Sequence, residues 1–134
     1  MRRVAVIALL AFAAACTPEQ IAVFQQLTPD QQTAVIDGLR PPADCHSAIR
    51  RTWPPHLHGW ADKIVRRESG NNPAAANRSS SARGCFQLMM SYHAWRLTAV
   101  GCSPDRWADP WCNAAAAWTL YAEQGPGPWR LTNY

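Results

Sequence analysis

Two segments near the start of the chain carry the same punctuation, Thr17-Pro18-Glu19-Gln20 and Thr28-Pro29-Asp30-Gln31. Each puts a threonine at an N-cap, a proline at the first helical position and an acid in the first turn. A glutamine three residues after the threonine completes a capping box. The first predicted helix carries Ile21, Phe24 and Leu27 on one side. The second carries Val35, Ile36 and Leu39 and stops near residues 38–42. This is a repeated cap rather than a repeat architecture, and residues 16–44 read as a helical hairpin or stalk. Pro41-Pro42 and Pro54-Pro55 bracket a short helix over residues 44–52. Leu57, Trp60, Ile64 and Val65 then share one face of an amphipathic helix that ends at Arg67 or Glu68, with Gly70 placed for a left-handed cap. Residues 71–84 are small and polar, a long loop or a small β-hairpin. Ser91 is expected to cap a helix bearing Tyr92, Trp95 and Leu97. Asp109-Pro110 opens the last helix, whose predicted face is Trp111, Ala114, Ala115, Trp118, Tyr121 and Ala122. Gly125 ends it, and Pro126 and Pro128 forbid its restart. The pattern describes a mainly α domain over residues 45–134, small, with one polar insertion lining a cleft and seven tryptophans to bulk its core.

The segment ahead of the hairpin changes the picture. Arg2 and Arg3 precede an unbroken apolar run over residues 4–15. A bilayer span takes about 20 apolar residues, so the run is too short to cross and suits a secretory signal peptide over residues 1–15. It ends in Ala13-Ala14-Ala15-Cys16, which resembles the lipobox of bacterial lipoproteins, although leucine usually stands where Ala13 is. Cleavage before Cys16 and its lipidation predict an exported protein anchored to the membrane through its N-terminus. Ordinary cleavage near the same alanines is the alternative and leaves the protein secreted.

Five cysteines fit that route. With Cys16 lipidated, Cys45, Cys85, Cys102 and Cys112 remain for two bridges, which an exported compartment permits. Four cysteines allow three pairings and the sequence does not choose among them. Cys45 with Cys85 and Cys102 with Cys112 is the preferred expectation. The spacing of these cysteines with His56 and His58 fits no standard zinc pattern, and neither metal nor cofactor is expected. The formal net charge is +4. Without Arg2 and Arg3 the chain keeps 11 basic side chains against 9 acidic ones. The basic side chains concentrate from residue 50 onward. A basic body suits an anionic partner such as wall polymer, lipid headgroups or nucleic acid, and export argues against the last. A monomer is expected.

Three blocks follow one another in the middle of the chain. They are Glu68-Ser69-Gly70, then Asn72-Pro73-Ala74 with Asn77, then Ala82-Arg83-Gly84-Cys85-Phe86-Gln87. Together they resemble the signature of lytic transglycosylases and resuscitation-promoting-factor-type muralytic domains, both of the lysozyme-like superfamily. Trp95, the run from Asn113 through Trp118 to Tyr121, and Gln124-Gly125 with Trp129 are similar to the family's later elements. The resemblance covers about residues 56–130. It departs from the pattern at Cys85, where leucine is usual, and at Leu88-Met89-Met90-Ser91, which lacks a proline often found there.

The resemblance implies an α+β lysozyme-like fold and an enzyme acting on peptidoglycan glycan strands. Glu68 would protonate the β-1,4 oxygen between MurNAc and GlcNAc. It would then serve as base while the sugar's own 6-hydroxyl closes a 1,6-anhydro-muramyl end. The chemistry needs an acid that keeps its proton near neutral pH, and a carboxyl at a helix end packed against apolar side chains in a cleft meets that need. Phe86, Trp95 and Tyr121 are the candidates for that packing, and Arg66 and Arg67 are expected to point away. Ser69, Gln87 and Tyr121 are carried over as sugar contacts. Asn77 joins them from the loop, beside Arg83 and beside Asn71 and Asn72, which turn chemistry accounts for. Trp95 suits either a sugar platform or the core. A serine at a helix end and a tyrosine in a core have ordinary structural roles too.

A two-carboxylate hydrolase needs a partner acid across the cleft. Asp105 lies in a turn, Asp109 is an N-cap and Glu123 sits near a helix end, so none is a convincing partner. His93 reads as a surface residue. The rival readings are a hydrolytic muramidase that uses the same Glu68, a wall-binding lipoprotein without turnover, and a purely structural envelope protein.

Overall fold

The computed structural model describes residues 17–131. The expected signal peptide over residues 1–15 and the lipidation site Cys16 lie outside the described residues. The chain divides into two compact units, Met1–Arg40 and Pro41–Tyr134.

The first unit contains α1 (Pro18–Gln25) and α2 (Pro29–Leu39). Both start as the repeated motif requires. The Thr17 N–H donates to Gln20 Oε1 at 2.9 Å, and the Thr28 N–H donates to Gln31 Oε1 at the same distance. Each threonine side chain accepts from the backbone of its glutamine, so two orphan donors are satisfied at each start. Phe24 is the buried residue of the pair, and Gln32 Nε2 donates to its carbonyl.

The second unit is mainly α with one small antiparallel sheet. It runs α3 (Cys45–Thr52), a 3-10 turn (Pro55–Leu57), α4 (His58–Ser69), β1 (Ala82–Arg83), β2 (Leu88–Met89) and α5 (Met90–Ala99). A 3-10 segment (Pro104–Ala108), α6 (Pro110–Gln124) and a last 3-10 turn (Gly127–Trp129) complete it. Ala82 pairs with Met89 and Arg83 with Leu88 in a small hairpin whose second strand lies beyond the predicted insertion. Residues 71–81 are loop, joined to it by an isolated bridge between Ala76 and Arg83.

Helix α6 is the axis of this unit, packing on α3 and on α5. Its burial departs from the predicted face. Residues 112–117 are all buried, with Leu120, while Trp111 and Ala122 are exposed. A stripe is what a surface helix shows. This helix is surrounded over its first half, and its run of alanines lets neighbours approach on several sides.

Of the starts elsewhere, α3 and α6 are capped by side chains, whereas α4, which follows a 3-10 turn, and α5 are not. Asp44 and Asp109 cap α3 and α6, accepting from Ser47 N at 2.8 Å and Cys112 N at 3.0 Å. Ser91 does not cap α5. That helix begins one residue earlier, and the Ser91 N–H and hydroxyl both meet Ser81 Oγ, tying the hairpin to the helix instead.

The bridges are Cys45–Cys85 and Cys102–Cys112, the pairing preferred from the sequence. Cys85 thus stands in place of a leucine because it pins the hairpin turn to the start of α3. The core gathers on Trp53. Its ring stacks on Phe86 with centroids 5.0 Å apart, and its indole N–H donates to the Ala114 carbonyl at 2.9 Å.

Candidate active site

Helix α4 stops because Gly70 and Asn71 both take left-handed backbone, at φ 63° and 62°. Their N–H groups return to Arg66 and Val65 carbonyls. Gly70 does this freely, and asparagine is among the side chains that tolerate it best. Asn71 does more than turn the chain, since its Oδ1 accepts from the His46 N–H on α3. The stop leaves Glu68 in the last turn of α4, half-buried, on the wall of a cleft of about 350 Å³. Arg66 and Arg67 are exposed.

Gln87 comes to the same cleft from the hairpin. It sits at φ 49°, a strained setting for a residue with a side chain, so its surroundings must hold it there. Its Nε2 donates to the carbonyls of Ala75 and Gly84, both at 3.0 Å. The turn itself is fastened by Asn113, which is wholly buried on α6. Asn113 Oδ1 accepts from the Phe86 N–H at 2.9 Å. Its Nδ2 donates to the Arg83 and Trp107 carbonyls at 3.1 and 3.2 Å. Gly84 has to be glycine here, because a Cβ would lie 2.2 Å from Asn113 Nδ2. From the other side, the Trp129 indole N–H donates to the Phe86 carbonyl at 3.0 Å. Together with the Cys45–Cys85 bridge, these contacts determine where the Gln87 amide stands relative to Glu68.

Asn77 and Ser80 complete the polar wall. Asn77 Oδ1 accepts from the Ser79 N–H and hydroxyl, and Arg83 Nη1 donates to the Asn77 and Ser80 carbonyls. Arg83 thus shapes the loop from within. Asn72 Oδ1 accepts from the Ala74 N–H in an Asx turn.

Of the residues singled out from the sequence, Glu68, Gln87 and Asn77 come together in the cleft. Ser69, Tyr121 and Trp95 are not among the residues lining it. The Ser69 hydroxyl donates to the Val65 carbonyl of its own helix, as a serine at a helix end can. Tyr121 packs in the aromatic cluster, with centroids 5.3 Å from Trp53 and 4.8 Å from Trp60. Trp95 is neither core nor cleft; it is 56% exposed.

His93 and Trp129, neither of them put forward as a site residue from the sequence, also line the cleft. His93 is a correction, since it was expected to be a surface residue without a partner. Burial lowers its affinity for a proton and the Arg96 guanidinium lowers it further, against a weaker opposing pull from Glu123. The imidazole is therefore held below its ordinary pKa. The available signal was spacing, because His93 follows Met89 by four residues and Met89 also faces the cleft.

The late acids are engaged elsewhere. Asp105 accepts from the Ser103 hydroxyl, Asp109 holds Cys112 N and Arg106, and Glu123 pairs with Arg96. Glu68 is the sole carboxylate among the residues lining the cleft.

A family profile for the transglycosylase SLT domain matches residues 57–124. No curated protein and no solved structure matches the chain.

Proposed function

The chain belongs to the transglycosylase SLT domain family, and from that premise we propose that it is an exported lytic transglycosylase with Glu68 as its one catalytic acid and base. The observation that carries the reading is the single carboxylate of the cleft. Two-carboxylate glycosidases keep their acids about 5–9.5 Å apart across the scissile bond, and no second acid among the described residues lines this cavity.

With one group, the reaction runs in two halves. The Glu68 proton passes to the bridging oxygen, the C1–O4 bond breaks, and the GlcNAc side leaves with its 4-hydroxyl restored. The 6-hydroxyl of the same MurNAc attacks C1, and its proton returns to the Glu68 carboxylate. The product is a 1,6-anhydro-muramyl end, and no water is consumed. Gln87, fixed through its own amide nitrogen, and Asn77 are the proposed polar contacts to the sugar. Ser69, Tyr121 and Trp95 act, in this reading, outside the reacting ring.

Two disulfides support an oxidising compartment. They fit cleavage of residues 1–15, lipidation at Cys16, and a stalk of α1 and α2 ahead of the catalytic unit. A Cys16→Ser variant should leave the membrane fraction.

The test is digestion of purified peptidoglycan by the full chain, with mass spectrometry of the released ends. Anhydro ends from the native protein and at least a 10³-fold loss in Glu68→Gln are expected, roughly the share of general acid–base catalysis and more. Reducing ends would replace this mechanism with hydrolysis. Full activity of Glu68→Gln would end the proposal.

A further inference from the structure

A glycan strand is a polymer, and a cleft of about 350 Å³ lies at the small end of small-ligand sites. A strand seated in it must run out across the neighbouring surface. Helix α5 is one part of that surface continuous with the cleft, because Met89 just before it and His93 in its first turn both line the cavity. Tyr92 adjoins His93 in the chain and Trp95 follows three residues on, so the two rings are neighbours on the outer face of the helix. Both are exposed, at 72% and 56%.

Trp95 is nevertheless held. The Arg96 guanidinium carbon lies 4.4 Å from its ring centroid, a cation–π contact. Arg96 itself is 3% exposed and is locked to α6 through the Thr119 hydroxyl at 3.2 Å and the Glu123 carboxylate. Its Nε is buried and makes no hydrogen bond among the described residues, so stacking on the indole is part of what fixes the guanidinium. One face of the indole therefore rests on a cation tied to the central helix, and the ring presents itself to solvent in a fixed pose.

We propose that Tyr92 and Trp95 form a stacking rim that grips the β-1,4 glycan strand outside the cleft. The inference rests on the reading of the cleft as a peptidoglycan site. Pyranose rings have flat C–H faces that pack on aromatic rings while their hydroxyls stay in water, and a ring already held in place loses little freedom when a sugar lands on it. The rim thus gives the enzyme hold on the polymer beyond the bond it cuts.

The experiment uses the full chain carrying Glu68→Gln, sedimented with purified sacculi, so that binding is read without turnover. On that background, Tyr92→Ala with Trp95→Ala should weaken the apparent Kd about tenfold or more, as expected for two lost ring faces. Tyr92→Phe with Trp95→Phe should bind nearly as well as the parent, and raised salt should leave the difference in place because stacking is not screened. Unchanged binding of the alanine pair overturns the rim, as does an equal loss in the phenylalanine pair. So does a loss that appears only with phosphatidylglycerol vesicles, which would make the face a lipid contact. If the native chain releases no sugar ends while ring-dependent binding persists, the Glu68 reading fails and the rim stands.

Discussion

Asn113→Ala tests the central structural claim, that one buried amide on α6 positions the turn carrying Gln87. The substitution removes three hydrogen bonds at once. The Phe86 N–H is left without its acceptor in a residue that is fully buried, which costs about 1–3 kcal/mol. The Arg83 and Trp107 carbonyls belong to half-buried residues that water partly reaches, so each adds about 0.5–1.5 kcal/mol. The loss should come to about 2–6 kcal/mol, out of the 5–15 kcal/mol typical of a whole domain. Guanidinium unfolding followed by tryptophan fluorescence reads this directly, with an unchanged m-value as the sign that only stability has moved. Asn113→Asp separates the parts. It keeps the acceptor for Phe86 but turns an oxygen toward two carbonyl oxygens, so it should be no more stable than the alanine variant. A loss under about 1 kcal/mol in Asn113→Ala would refute the reasoning, because the polar groups would then have found other partners at no cost.

The two bridges should differ in weight. Cys45–Cys85 closes 40 residues and Cys102–Cys112 closes 10, so chain entropy assigns them about 4 and about 2.7 kcal/mol. Paired alanine variants compared by thermal unfolding should follow that order, and the reverse order would contradict it. His93 should titrate by NMR with a midpoint below 6.5, and Glu123→Gln should move it lower still, since the Glu123 carboxylate is the group that raises it. Because the folded state disfavours its protonation, its contribution to stability is present above 6.5 and fades as pH falls through the folded value. Asp62 is also held below its ordinary range. Burial pushes its pKa up, but hydrogen bonds from Arg50 and His46 outweigh that. Asp62→Asn should therefore destabilise the protein at neutral pH, with the gap to the parent closing as pH falls below about 3.8. A gap of constant size across that window in denaturant titrations would count against the ion pair.

What could be read from the chain divides along a physical line. Helix starts at Thr17, Thr28, Asp44 and Asp109 were legible because capping is decided by residues within one turn. The stop after Glu68 was legible for the same reason, since Gly70 and Asn71 carry their backbone preference with them. Asn113 was not. Nothing within four residues of it in an alanine-rich helix announces that its amide will meet Phe86 and Arg83, 27 and 30 positions away. His93, read as a surface residue, was missed for a related reason, and the spacing of Trp95 left a sugar platform and the core undecided. Helical spacing places a residue on a face of its helix, but whether that face looks into a cleft, a core or water depends on what packs beside it. The alanines of α6 illustrate the same limit, because a helix enclosed on several sides has no single stripe to find. Local chemistry thus put the acid at the end of its helix, while the groups that set the geometry around it depend on contacts made only once the chain has folded. Substitutions at the caps should therefore behave nearly additively, whereas those at Asn113, Gly84 and the Cys45–Cys85 bridge share one turn and should couple strongly. A double-mutant cycle between Asn113→Ala and the Cys45/Cys85 alanine pair that closed to zero would show that the turn is held by independent parts, against the single fastened unit described for Gln87.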